Sequence, residues 1–100
     1  MRKKKGASLE DFKDFSDFEV DIDPEDPVYV ISIVSKLCDI PVWTLRELEK
    51  KGIIKPKRLG KKTRCYSKRQ VRKLEYIHYL MEDKNVNISG IKVILEMIEE

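Results

Sequence analysis

One hundred residues, 41% apolar and 39% charged, make one domain or at most two, with a small core and a charged surface. No run of 18 apolar residues exists to span a bilayer, and the start "MRKKKGASLEDF" has no apolar stretch behind its positive front, so it is not read as a secretory signal. The net charge of +3 hides an asymmetry that organises the whole chain.

Residues 1–7 are basic and read as disordered. Residues 8–27, "SLEDFKDFSDFEVDIDPEDP", hold nine acids and one base. Phe12, Phe15 and Phe18 recur three apart, which aligns them on one face of a nascent helix or leaves them in a disordered linker. Pro24 and Pro27, among acids, end any such helix. The chain therefore divides into a flexible arm, 1–27, basic and then acidic, and a folded domain, 28–100.

The domain begins with a short β-like run, "VYVIS", whose Ser32 is placed to cap a helix. Ile33, Val34 and Leu37 give that first helix an apolar face. Pro41 suits the start of a second, with Leu45 and Leu48 inward and Gly52 where a left-handed residue ends the helix. Two short helices joined by a few residues are a helix-turn-helix pattern. "IIKPKRLGKKTRCYS" then reads as a two-stranded hairpin turned at Gly60, a wing. Ser67 and Gln70 make the Ser-x-x-Gln capping box of a third helix, with Val71, Leu74, Ile77, His78 and Met81 at helical spacing. Asn87 caps a last helix with Ile91, Ile94, Leu95 and Ile98 inward. The expected fold is mainly α: a winged helix-turn-helix with a small β-hairpin wing and two further helices.

Residues 50–73 hold twelve Lys/Arg and no acid, interrupted by apolar residues that mark a folded face rather than a disordered tail. A folded basic face without acids is the footprint of a polyanion partner. No catalytic constellation competes with that reading. His78 stands alone on the apolar side of its helix, and no Gly-rich phosphate loop occurs. Cys38 and Cys65 form no Cys-x-x-Cys pair and lie far from His78, so they read as free thiols of a reducing cytosol, and no metal, cofactor or enzyme activity is expected.

For DNA, the second helix offers Trp43, Thr44, Arg46 and Glu47, with Lys50 further on, as the outward face that meets base edges in a major groove. Arg46 suits a guanine edge or a phosphate, and Glu47 a cytosine amino group. Trp43 is either a contact to a thymine methyl or sugar, or a hydrophobic plug between helix and wing. Lys50, Lys51, Lys55, Lys57, Arg58, Lys61, Lys62 and Arg64 are default phosphate contacts. The stretch "YSKRQVRKL" places Tyr66, Lys68 and Arg69 at a capped helix start, where the Tyr66 hydroxyl and free backbone N–H groups near Ser67 would hold one further phosphate.

These residues carry a resemblance. "TLRELEKKGII.P.R" (Thr44 to Arg58) and "RCYS..QVRKLEYI" (Arg64 to Ile77) resemble the winged-helix DNA-binding domain of MerR-type transcription regulators, over residues 29–97. "YVIS" and "VNISGIKVILEM" resemble its heat-shock repressor (HspR-type) branch. The resemblance implies a double-stranded-DNA-binding repressor of stress and chaperone genes in a bacterial cytoplasm, associated with the nucleoid, with DnaK as a candidate co-repressor. It departs from the family where Arg-Tyr-Tyr-Glu is usual and Arg46, Glu47, Leu48, Glu49 stand here; the aromatic contact expected at Leu48 is missing, and Trp43 is its candidate substitute. Family members usually continue into a coiled-coil helix and an effector region, so a minimal regulator and a trimmed chain are both expected readings. Small relatives without the coiled coil imply self-association, as a dimer or a cooperative array on DNA.

Two other functions compete. Phage excisionases, which are recombination accessory factors, resemble the same domain. A protein-interaction module, in which the acidic arm is the active part, is the third reading. The arm is expected either to compete with DNA for the basic face or to act only as a solvated tail.

Overall fold

The structure is a computed structural model and describes residues 22–99. Strand β1 (Pro27–Val30) runs without a loop into helix α1 (Ile31–Cys38). The cap is Val30, not Ser32, and no side chain bonds the first turn. Starting at Ile31 turns the helix so that Val34 and Cys38 face the core, while Ile33 and Leu37 are 46% and 55% exposed, against expectation. Asp39 ends α1 in the left-handed conformation, and Pro41, at φ −59°, caps helix α2 (Val42–Lys50) by accepting hydrogen bonds from Thr44 and Leu45 N–H. Leu45 and Leu48 are buried, and Gly52 takes the expected positive φ of 78° after the helix.

The wing is β2 (Lys57–Leu59) and β3 (Thr63–Ser67), joined through Gly60 at φ 68°. Here the sheet exceeds the two-stranded hairpin expected. β1 pairs antiparallel with the other edge of β3, giving the order β1-β3-β2, with Tyr29 opposite Tyr66 and Val30 opposite Cys65. The apolar run "VYV" was β-like because it covers one edge of the wing and anchors it to the core.

Helix α3 (Lys68–Glu82) begins with both halves of the capping box: Gln70 N–H donates to Ser67 Oγ at 3.1 Å, and Ser67 N–H donates to Gln70 Oε1 at 3.0 Å. Gln70 Nε2 also donates to the Lys55 carbonyl at 2.9 Å, fastening the segment between α2 and the wing to the same helix start. In helix α4 (Ile88–Ile98), Asn87 Oδ1 accepts from Gly90 N–H as expected. Ile91 and Leu95 are buried; Ile98, expected inward, is 62% exposed. Lys73 on α3 and Glu99, just after α4, are ion-paired at 2.8 Å. One core joins Val34, Leu45, Leu48, Ile54, Tyr66, Leu74, Ile77, Ile91 and Leu95. The fold is the winged helix-turn-helix expected, mostly helical, with a three-stranded sheet in place of two strands. The Phe12–Phe15–Phe18 row lies outside the described residues.

Candidate nucleic-acid interface

The second helix of the helix-turn-helix presents one polar stripe. Trp43, Arg46, Glu47 and Lys50 are spaced i, i+3, i+4, i+7, and that spacing repeats on one helical face. Trp43, at 70% exposure, is a projecting side chain and not the plug between helix and wing. Arg46 and Lys50 are exposed and Glu47 half-buried. Thr44 needs correcting: at 3% exposure it belongs to the inner face with Leu45 and Leu48, one residue off the stripe, and cannot meet a base edge.

Beside this stripe stands the wing. An open groove of about 460 Å³ runs between them, lined by Arg46, Glu47, Glu49, Lys50, Arg58 and Arg64. The basic residues divide into two sets. Lys50, Lys51, Lys55, Lys57, Lys61, Lys62 and Lys68 are exposed and make no ion pair among the described residues. Arg58, Arg64 and Arg69 are each held by a carboxylate. Arg58 Nη2 donates to Glu49 Oε2 at 2.9 Å, Arg64 Nε donates to Glu49 Oε1, and Arg69 Nε donates to Glu25 Oε2.

The phosphate seat expected at the start of α3 is not formed as predicted. Tyr66 is fully buried in the core, and its hydroxyl has no hydrogen-bond partner, so it does not point outward to a phosphate. Burial pushes that phenol up from its ordinary 10.0 to about 12; the Glu49 charge pushes the same way, while Arg64 and Arg58 oppose it. Two of the helix-end donors are also taken: Arg69 N–H donates to the Pro24 carbonyl at 3.0 Å, and Gln70 N–H to Ser67 Oγ. The last acidic residues before β1 therefore lie against α3, with Glu25 on Arg69. A polar residue two positions beyond a basic alternation looks like a ligand in sequence; the pairing of β1 with β3 is what covers it.

Sequence reasoning also missed Glu49, whose single carboxylate takes two arginines. The signal was available: residues 50–73 contain no acid, so any partner for the wing arginines must come from outside that block, and Glu49 immediately precedes it. Elsewhere, Cys38 and Cys65 are free and buried, and no cluster of three or more metal-ligating residues occurs among the described residues. The Cys38 thiol, 3.7 Å from the Val71 carbonyl, is pushed from 9.0 to about 11 by burial, with the Glu75 charge second. No described helix is long and apolar enough to cross a membrane.

Comparison with known proteins agrees with this geometry. Residues 29–98 match the model of the MerR HTH family regulatory proteins, which spans both helices of the stripe-bearing motif, the wing, α3 and α4. The chain is also 37% identical, over 71 residues, to a Streptomyces coelicolor protein that carries the provisional name heat shock protein HspR. That alignment covers 71% of this chain and 47% of the relative, so the chain spans about half the length of the relative it matches.

Proposed function

Because the chain belongs to the MerR family of helix-turn-helix regulatory proteins, we propose that it is a sequence-specific binder of double-stranded DNA that represses stress and chaperone genes. Membership of that family supports a role as a transcription regulator. The observation that carries the finer reading is the exposed stripe Trp43–Arg46–Glu47–Lys50 beside seven lysines that make no ion pair among the described residues. In this reading α2 lies in the major groove, where Arg46 reads a base edge, Glu47 accepts from a cytosine amino group and Trp43 packs on a thymine methyl or sugar. Lys50, Lys55, Lys57, Lys61, Lys62 and Lys68 contact phosphates, with Arg58 and Arg69 available through donors that their carboxylates leave unused. The choice of stress genes rests on the heat-shock name of the Streptomyces relative, and repression, self-association on DNA, a DnaK partner and a place in the bacterial cytoplasm belong to the same proposal.

A footprint of the purified chain on fragmented genomic DNA tests it. Protection upstream of chaperone genes is the expected result. Protection at recombination sites beside an integrase would identify an excisionase-like accessory factor instead, and no discrete protection would remove sequence-specific binding altogether.

A further inference from the structure

We infer that Glu49 is a positioning residue that sets the wing against the recognition helix, and that Arg64 is its strut and not a phosphate contact. Arg58 and Arg64 are direct cross-strand partners in the β2–β3 pair. Two like charges opposite each other on antiparallel strands destabilise the pairing. Glu49 relieves that repulsion by giving each guanidinium one carboxylate oxygen: Oε2 accepts from Arg58 and Oε1 from Arg64.

The location of this carboxylate gives it a mechanical role. Glu49 is on the last turn of α2, whereas the two arginines are on the two strands of the wing. β2 has three residues, all exposed, and pairs only with β3. Its ties beyond that pairing are few, so the Arg58–Glu49 bond is a direct link from the outer edge of the wing to the helix that carries Arg46 and Glu47. Arg64, at 20% exposure, is half withdrawn from solvent, while Arg58, at 41%, keeps an open side. A wing held at one distance and angle from α2 lets groove and backbone contacts form together. A wing set loose still offers its lysines to phosphate, but out of register with the base-reading stripe.

The consequence is a separation of specific from non-specific binding, and it rests on the DNA-binding reading above. Non-specific affinity follows the number of phosphate charges neutralised. Glu49→Gln removes one negative charge from this face and deletes no cation, so it does not lower binding to random DNA. It costs discrimination, by about tenfold, the size that coupling within one salt-bridge network commonly reaches.

The test uses the full chain. A duplex is first selected by the wild-type protein from a random-sequence pool, and affinities for it and for the unselected pool are measured by anisotropy for wild type, Glu49→Gln, Arg64→Gln and the double variant. The inference expects each single variant to bind the selected duplex about tenfold more weakly with no matching loss on the pool, and the double variant to lose no more than either single. Equal losses on both DNAs, a salt slope lowered by about one unit in Arg64→Gln, or additive losses in the double variant would overturn it. A second readout needs no DNA: the Arg64 Nε–H proton signal should be protected from exchange in the wild type and exposed in Glu49→Gln, with wing-turn amides gaining fast motion in a protein that melts cooperatively. If selection enriches no sequence, the function proposed above fails, and the NMR comparison still decides the strut: unchanged Arg64 exchange and unchanged wing motion overturn it.

Discussion

Neutralising Lys61 and Lys62 together isolates the phosphate-binding role of the wing. Both are exposed in the turn that follows Gly60, and neither makes an ion pair among the described residues, so their charge is available to a polyanion and does not support the fold. Replacing them by Gln should change stability by no more than about 0.5 kcal/mol. Each phosphate contact contributes about 0.9 to the slope of log affinity against log salt, so the double variant should lose about 1.8. That slope corresponds to about 30-fold weaker binding at 0.15 M salt, and the deficit should shrink as salt rises: between 50 and 200 mM the wild type should lose about 12-fold more affinity than the variant does. Anisotropy titrations at four salt concentrations measure both quantities. Lys84→Gln, which makes the same charge change beside the Tyr79 ring in the α3–α4 connection, is the control and should leave the slope unchanged. An unchanged slope in the wing variant, or an equal fall in the Lys84 control, would refute the assignment.

Three further outcomes concern the buried Tyr66 and Cys38 and the capping residue Gln70. Tyr66→Phe removes a buried hydroxyl that has no partner, so stability should hold or rise by about 1 kcal/mol, and DNA affinity should not change; a tenfold loss of affinity would restore the hydroxyl as a phosphate contact. Cys38 and Tyr66 hold their protons more tightly folded than unfolded, with values raised to about 11 and about 12, so their contribution is complete below pH 9 and is lost as pH rises through these values. Chemical denaturation at pH 8, 9 and 10 should show falling stability above pH 9, and Cys38→Ala should flatten the first part of that fall. Gln70→Ala deletes the capping box and the bond to the Lys55 carbonyl, and should cost about 1–2 kcal/mol in a urea melt.

Local chemistry made much of the fold legible. The Ser67–Gln70 box, the Asn87 cap, and Gly52 and Gly60 at positive φ each follow from what a helix end or a tight turn demands of one residue. Errors arose where a distant element decides the environment. With β1 entering straight into α1, Val34 faces inward as expected, but Cys38 joins it there while Ile33 and Leu37 are exposed. The pairing of β1 with β3 buried Tyr66, which in sequence stands in an alternating basic strand. Thr44 was lost to the stripe by one position, because it stands beside Leu45 and one turn before Leu48 on the face that α2 buries. The exposed stripe itself was readable, since Trp43, Arg46, Glu47 and Lys50 are fixed to one face by helical geometry alone. Glu49 was missed because its partners lie 9 and 15 residues away across a turn, although the absence of acid from 50–73 pointed to it.

The central claim, that α2 reads base pairs through its exposed stripe, is tested most directly by Arg46→Ala on a panel of duplexes in which each base pair of a wild-type-selected site is replaced in turn. If Arg46 contacts a base edge, the variant should bind the parent site about 1–3 kcal/mol more weakly and should no longer discriminate at one position while keeping its preferences at the others. A uniform loss over the whole panel, or no loss at all, would contradict the account.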